Sequence, residues 1–166
     1  MKHQIKHRYT KSVLFECDLP DDTPSGLVTR RVLEKATAAR ANLARAYLAG
    51  ADLARAYLAG ANLDGAYLAG AYLAGAYLAG ANLDGVLLVS ERPILQIGPI
   101  GSRCAYFTAY LTTEGVKLRA GCFFGTLDEF TSKLSKEHGD NIHATEYRAA
   151  LDLIQCHAGL WTPSMT

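Results

Sequence analysis

Leucine recurs at every fifth position through the centre of the chain, from Leu43 to Leu88, in units such as ANLAR, AYLAG and ANLDG. In an α-helix a step of five residues turns about 500°, so these leucines would point to every side of the helix. In a plain β-strand the odd period would send successive leucines to opposite faces. A coil that turns a corner every five residues brings the same position inward each time, and stacked coils pair in parallel. The pattern therefore predicts a stack of coils.

The segment before the repeats predicts a β-hairpin and a helix. QIKHRY and SVLFECDL flank a turn at residues 10–12 and indicate the two strands of the hairpin. Ser25 is expected to cap a helix that carries Val28, Val32 and Ala36 on one face. An open solenoid edge invites aggregation, so we expect this segment to cover the first coil.

The segment after the repeats predicts a second hairpin. CAYFTAYL and VKLRAGC flank the turn TTEG. In the second strand Leu118, Ala120 and Cys122 should face the core, and Lys117 and Arg119 should point outward. We expect Cys122 to be a core thiol.

Two helices should follow this hairpin. Thr126 and Glu129 have the spacing of a capping box, and Gly139 stands just past the end of the first helical pattern. A second helix is predicted from about Ile142, with Tyr147 among its core residues.

The repeats resemble the pentapeptide repeat family, whose motif is A(D/N)LXX. Nine consecutive units match from Ala41 to Gly85, and VLLVS forms a degenerate tenth. The resemblance implies a right-handed quadrilateral parallel β-helix with four units per coil. Its inward positions would be Ala41 and every fifth residue to Ala81, Val86, and the leucines Leu43, Leu48, Leu53, Leu58, Leu63, Leu68, Leu73, Leu78, Leu83 and Leu88.

With four units per coil, residues twenty positions apart should stack. The expected columns are Asn42 with Asn62 and Asn82, Tyr47 with Tyr67, and Tyr57 with Tyr77. Asparagine amides can hydrogen-bond along such a column, and tyrosine rings can stack.

The whole chain is therefore predicted to be mainly β, with a short β-helix at 41–90. An N-terminal hairpin and capping helix occupy 1–40, and a small α/β segment, a hairpin plus two helices, occupies 91–166. The flanks also resemble those of small phage and prophage proteins with pentapeptide repeats, through IKHRYTKSVLFE, LQIGPIGSR, GCFFGTLDEF and HGDNIHATEYRAAL.

The composition limits which classes of protein this chain can belong to. The formal net charge is +1, which gives no basis for direct nucleic-acid binding or for membrane attraction. No run of about 18 uncharged apolar residues and no signal peptide is visible, so we expect a cytoplasmic protein. The four cysteines form no CxxC pair, and reduced, buried thiols are expected.

Few residues suggest chemistry. A thiol with an imidazole at Cys122 and His138, or a metal site at His138, Asp140 and His143, can be drawn from the sequence. Structural roles for these side chains are the stronger interpretation, and no cofactor or metal is expected. The segment IGPIGSR is interpreted as a tight turn, with an anion site at Arg103 as the alternative.

The outward aromatic residues leave two interpretations open: they pack on the flanking elements, or they bind a partner. Lys117 and Arg119 join them as candidate interaction residues, and the five tyrosines are Tyr47, Tyr57, Tyr67, Tyr72 and Tyr77. We expect a non-catalytic interaction or scaffold module of phage or prophage origin, with the β-helix as a rigid spacer. Its partner would be an unidentified protein or a second copy in a homodimer.

Three alternatives accompany this interpretation. One is a phage anti-defence protein that binds a host protein or a small nucleotide, and another is a small enzyme or metal site around Cys122, His138 and His143. The third is a DNA mimic that binds DNA gyrase, a role that the family suggests. Such a mimic needs a dense negative charge, whereas the acidic and basic residues of the repeats balance. They are Asp52, Asp64 and Asp84 against Arg40, Arg45 and Arg55.

Overall fold

The computed structural model describes residues 1–90 and 93–161, which divide into two compact units, Met1–Pro93 and Ile94–Thr166. The ends of the predicted C-terminal segment, residues 91–92 and 162–166, lie outside the described residues. Over the described ranges the chain is mainly β, with several sheets and three α-helices, as the sequence predicts.

The first unit begins with the predicted hairpin. Strands β1 (Lys2–Lys6) and β2 (Val13–Asp18) pair antiparallel. Helix α1 (Val28–Ala38) follows a single 3₁₀ turn and buries Val32, Leu33 and Ala36. The predicted cap at Ser25 is wrong, because Ser25 begins the 3₁₀ turn and the residue before α1 is Leu27, whose side chain makes no capping hydrogen bond.

In the repeats, residues twenty positions apart pair in parallel. The amide of Tyr67 donates to the carbonyl of Ala46 at 2.8 Å, and the amide of Leu48 donates to the carbonyl of Tyr67 at 2.9 Å. Regular strands are confined to β3 (Asn62–Leu63), β4 (Asn82–Leu83) and β5 (Val86–Leu87), and isolated bridges make the other pairs. The expected columns are confirmed by the pairs Asn42–Asn62, Asn62–Asn82, Tyr47–Tyr67 and Tyr57–Tyr77.

Leucine and alanine fill the interior of the stack. All the predicted inward leucines are buried, and the most exposed, Leu68, shows 5% of its surface. The corner residues adopt positive φ, which glycine accepts without strain; Gly50 has φ 66°. Arg45 and Arg55 hold the same conformation at 59° and 56°, where a side chain is disfavoured by roughly 1–2 kcal/mol.

The N-terminal elements complete the open edge of the first coil. Since no coil precedes it, the amides that would pair with a preceding coil need other acceptors. The amide of Tyr47 donates to the carbonyl of Lys6 in β1 at 2.8 Å. The amide of Tyr57 donates to the Glu34 carboxylate of α1 at 3.1 Å. The expectation that this segment covers the first coil is confirmed at these two positions.

At the other edge the tenth unit does not continue the coil. Strand β5 folds back antiparallel on β4, and the amide of Leu88 donates to the carbonyl of Ala81 at 2.9 Å. The turn between them consists of Asp84 and Gly85, both with positive φ, which is the conformation of a two-residue hairpin turn. The prediction of a tenth coil unit was wrong in this respect, although Leu88 still lies in the core.

The second unit contains a larger sheet than predicted. Strands β6 (Ile94–Ile100), β7 (Ala105–Thr112), β8 (Gly115–Ala120) and β9 (Phe123–Thr126) form an antiparallel sheet in chain order. The predicted hairpin is β7–β8, and the tight turn expected at 97–103 is confined to residues 101–104. The sequence did not predict β6 because Gly98 and Pro99 are unfavourable in a strand. Proline is tolerated there since β6 is an edge strand with an irregular register.

Helices α2 (Leu127–His138) and α3 (Ile142–Trp161) cover one face of this sheet. The capping box is confirmed: the Glu129 amide donates to Thr126 Oγ1 at 3.2 Å, and the Thr126 amide donates to the Glu129 carboxylate at 2.7 Å. Gly139 stands at the C-cap with φ 55°. The buried cluster comprises Phe107, Ala109, Leu118, Phe130, Leu134, Ala144, Tyr147, Ala150, Leu151 and Ile154.

Candidate functional site

Two columns of tyrosine rings stand on the outside of the stack. The ring centroids of Tyr47 and Tyr67 lie 5.7 Å apart, and those of Tyr57 and Tyr77 are also 5.7 Å apart. Both separations fall within the range for attractive ring pairs. The five-residue repeat thus fixes the height and spacing of each ring along the stack.

The N-terminal hairpin contacts the first column. The Arg8 guanidinium lies 4.8 Å from the centre of the Tyr67 ring, and the Lys11 ammonium lies 5.2 Å from that of Tyr47. Arg8 also donates to the carbonyl of Gly65 at 3.1 Å. Cation–π contacts hold these rings, so the first column is partly used inside the molecule.

The second column and its neighbour Tyr72 form what we name the tyrosine surface: Arg55, Tyr57, Tyr72 and Tyr77. Tyr57 is 65% exposed and Tyr72 is 43% exposed, whereas Tyr77 is half-buried. Arg55, Tyr72 and Tyr77 line a shallow open groove. The stem of Arg55 lies over the corner glycine of the next coil, Gly75, and no ion pair of its guanidinium is recorded in the described parts of the chain.

In the second unit, three of the candidate residues line one small pocket: Arg103, Cys122 and His138. Lys133 and Tyr147 line it as well. The volume is about 70 Å³, and Phe123, Phe130 and Leu134 supply apolar wall. We name this cavity the Arg103 pocket.

Two glycines give the Arg103 pocket its shape. A Cβ at Gly101 would lie 2.2 Å from the hydroxyl of Tyr147, and a Cβ at Gly121 would lie 2.7 Å from Nη1 of Arg103. Both glycines have positive φ, 73° and 59°. Any side chain at these positions would therefore be strained and would collide with one of the polar groups of the pocket.

Charge in the Arg103 pocket is predominantly positive. Glu137 is its acidic member, and its carboxylate pairs with Lys133 at 2.5 Å. The hydrogen bond from Lys133 lowers the pKa of Glu137, and the charges of His138 and Arg103 act in the same direction. Burial raises the pKa of Tyr147, so its hydroxyl is neutral and able to donate at pH 7.

The structure does not assemble the metal site that the sequence suggested as an alternative. The rings of His138 and His143 lie 5.9 Å apart, but the Asp140 carboxylate pairs with Arg148 at 3.0 Å and its side chain is 94% exposed. Residues 1–90 and 93–161 contain no cluster of three or more histidine, cysteine, aspartate or glutamate side chains that could hold a metal ion.

The prediction of buried cysteines was wrong. Cys104, Cys122 and Cys156 are exposed and Cys17 is half-buried, and all four are free thiols. Cys122 leaves the apolar face because β8 ends at Ala120 and the chain turns at Gly121.

Lys117 and Arg119 are less exposed than the strand alternation predicts. The Lys117 side chain is 16% exposed and pairs with Glu114 at 3.0 Å. The Arg119 guanidinium lies 5.0 Å from the centre of the Phe124 ring. Strand β9, which the sequence did not reveal, supplies Phe124 and explains the difference.

Sequence reasoning also missed Glu34, Lys133 and Glu137. Each belongs to an ordinary charged helix face in the sequence, and no local signal separates it from its neighbours. The Glu34 contact joins α1 to the repeats. Lys133 and Glu137 pair within α2, and the packing of α2 on the sheet brings them to the pocket.

Residues 32–58 and 51–88 match the family model for pentapeptide repeats, in eight copies, over about a third of the chain. This match supports the pentapeptide repeat family for the stack. No curated protein and no solved structure matches the chain significantly. The phage-like character of the flanks therefore stays a prediction. Among the described helices, none has both the length and the apolar character needed to span a bilayer.

Proposed function

We propose that this chain, whose repeats match the pentapeptide repeat family, is a non-catalytic protein-interaction module that uses its stack as a rigid spacer. Proteins built from pentapeptide repeats are generally non-catalytic interaction modules. In this proposal the stack is a short right-handed quadrilateral β-helix, supported by the parallel pairs at twenty-residue spacing. The partner is an unidentified protein, and the origin of the chain is phage or prophage.

The observation that carries the proposal is the exposed tyrosine surface. Tyrosine and arginine are enriched among the residues that dominate binding energy at protein interfaces. A tyrosine ring has two side-chain torsions, so it loses little conformational entropy on binding. Backbone pairs on both sides hold Tyr57 and Tyr72 in place: the Leu58 amide donates to the carbonyl of Tyr77, and the Tyr72 amide donates to that of Ala51.

The interior of the stack favours interaction over catalysis. Its inward positions carry leucine, alanine and Val86, so the interior is packed with apolar side chains and holds no ionisable group. The shallow open groove at Arg55, Tyr72 and Tyr77 suits contact with another protein better than it suits enclosure of a small substrate.

The experiment is affinity capture from bacterial lysate with the full chain and with a double variant, Tyr57→Ser and Tyr72→Ser. The control is Tyr47→Ser, which removes an exposed ring that the hairpin already contacts. We expect the captured proteins to be lost in the double variant and retained with the control. Equal capture by all three chains would contradict a role for the tyrosine surface.

Light scattering tests self-association separately. A homodimer through the tyrosine surface predicts a dimer mass for the wild type and a monomer mass for the double variant at the same concentration. A wild-type monomer at high micromolar concentration would exclude the homodimer and leave a heterologous partner as the form of the proposal.

A further inference from the structure

We propose that the Arg103 pocket binds a small oxyanion, phosphate or the phosphoryl group of a larger ligand, between the Arg103 guanidinium and the Tyr147 hydroxyl. This site belongs to the second unit and is independent of the tyrosine surface. Three features support it: a cation available for a ligand, a neutral donor on a largely buried tyrosine, and a cavity of suitable size.

Arg103 is the cation available for a ligand. Its guanidinium lies over Gly121, and it makes no hydrogen bond or ion pair with the residues that the structure describes. Lys133, by contrast, already pairs with Glu137. A guanidinium presents several N–H groups in a planar fork and binds phosphate in a bidentate manner.

Tyr147 supplies the neutral donor. The residue is only 8% exposed, yet no described residue hydrogen-bonds to its hydroxyl, which lies against Gly101 and lines the pocket. The hydroxyl oxygen itself is not among the fully buried polar atoms without a partner, so it is open to a ligand or a water in the pocket. Its raised pKa keeps the proton on the oxygen, where it can be donated to an anion.

The size and walls of the pocket suit a small anion. A volume of about 70 Å³ is several times the roughly 10–15 Å³ that one water molecule requires on the same measure, so the pocket admits a group of a few heavy atoms. Phe123, Phe130 and Leu134 form the apolar wall of the pocket, and Arg103 itself is exposed to solvent. Pockets that take up a whole drug-sized ligand usually measure about 300 Å³ or more, so this pocket suits a small group better. Only the anionic end of a larger molecule would enter.

Glu137 carries a negative charge that disfavours a bound anion. Its replacement therefore tests whether the pocket prefers an anion or a cation. Its carboxylate lines the pocket and repels a bound phosphate, although Lys133 compensates part of this charge. Replacing Glu137 by glutamine should therefore tighten binding, whereas a site that preferred cations would respond in the opposite way.

The experiment is a titration of the full chain with inorganic phosphate and, separately, with a nucleoside monophosphate. Calorimetry measures the affinity, and NMR chemical shifts of the backbone amides locate the site. We expect the shifts to centre on Ser102, Arg103 and Gly121. Arg103→Gln should weaken phosphate binding about tenfold, the effect of losing one charge-assisted hydrogen bond. Tighter binding of the nucleotide would show that the pocket holds the end of a larger ligand, and equal binding would show that it recognises the anion alone.

Matched variants separate a specific site from general attraction. Lys136 lies on α2, as Lys133 and Glu137 do, but it does not line the Arg103 pocket. Lys136→Gln removes a positive charge there and should leave the affinity for phosphate unchanged. Gly121→Ala keeps every charge but places a methyl group 2.7 Å from Nη1 of Arg103, so the guanidinium must move and binding should weaken. Tyr147→Phe keeps the ring and removes the donor, and it should also weaken binding.

Three results would overturn the proposal. They are no binding of either anion to the wild type at millimolar concentration, equal affinity of the wild type and Arg103→Gln, and amide shifts centred outside the pocket. Because Arg103 is exposed, its replacement should not unfold the second unit, and circular dichroism of each variant verifies this.

Discussion

Glu34 offers the sharpest test of how the flanks stabilise the stack. Its Oε1 atom accepts from the amide of Tyr57 at 3.1 Å and from Nε of Arg30 at 3.0 Å. The Glu34 side chain is 18% exposed, so water replaces these contacts poorly. We predict that Glu34→Ala opens the edge of the first coil at Tyr57.

The magnitude follows from the two contacts. A hydrogen bond to a charged group contributes about 1.5–3 kcal/mol, and we take about 1.5 kcal/mol because the site is partly solvated. The pair with Arg30 four residues earlier adds about 0.5 kcal/mol. Glu34→Ala should therefore cost about 2 kcal/mol. Glu34→Gln keeps a neutral acceptor for the Tyr57 amide and should cost about half as much.

Hydrogen exchange of backbone amides measures this loss at the residue concerned. A local destabilisation of about 2 kcal/mol raises the exchange rate of the Tyr57 amide about thirtyfold. The adjacent amide of Leu58 is the internal control, because it donates to the carbonyl of Tyr77 in the next coil and does not depend on Glu34.

The reasoning would be refuted if Tyr57 exchanged at the same rate in Glu34→Ala and in the wild type. It would also be refuted if the alanine and glutamine variants lost equal stability, because the acceptor atom would then contribute nothing. Equal acceleration at Leu58 and Tyr57 would show that the whole coil had loosened, contrary to a local cap.

Two further predictions concern the two units separately. Leu53→Ala empties a fully buried position of the stack and should cost about 3–5 kcal/mol, measured by chemical denaturation. The exposed change Tyr57→Ser is the control; it removes the ring contact with Tyr77 and should cost no more than about 1.5 kcal/mol. A Leu53→Ala loss under about 1 kcal/mol would contradict a packed interior. At Glu129 the backbone hydrogen bond from Thr126 lowers the pKa from its ordinary value of 4.5, so its contribution to α2 is present above that value and is lost as the pH falls through the depressed pKa. Circular dichroism should show this acid-dependent loss in the wild type and not in Glu129→Gln, and identical pH profiles would rule out the capping box as its source.

Local pattern was sufficient wherever one period governed a segment. In the repeats the five-residue spacing placed every leucine inside, and the resemblance to the repeat family then paired Tyr47 with Tyr67 and Tyr57 with Tyr77. In the second unit the capping box at Thr126 and Glu129 marked the start of α2 because its hydrogen bonds are local.

Pattern failed where a segment met a partner that is remote in the sequence. The unit ANLDG occurs twice, at residues 61–65 and 81–85. Only the second copy makes a hairpin turn, at Asp84 and Gly85. Its following residues, VLLVS, fold back on β4, whereas the residues after Gly65 continue the coil and pair with the coil before them. Likewise β6 and β9 lack a clear alternation, and pairing with β7 and β8 defines them as strands.

The sequence by itself determined which side chains of the stack lie inside, because burial of leucine at a fixed period depends only on the local turn of the chain. Only the tertiary structure decided how the edges are covered and which polar groups meet. Backbone amides at an open edge must find acceptors, and those acceptors, the Lys6 carbonyl and the Glu34 carboxylate, come from segments with no periodic relation to the repeats. The Arg103 pocket arose in the same way, since Arg103, Cys122 and Tyr147 come from separate elements and meet only after the helices pack on the sheet.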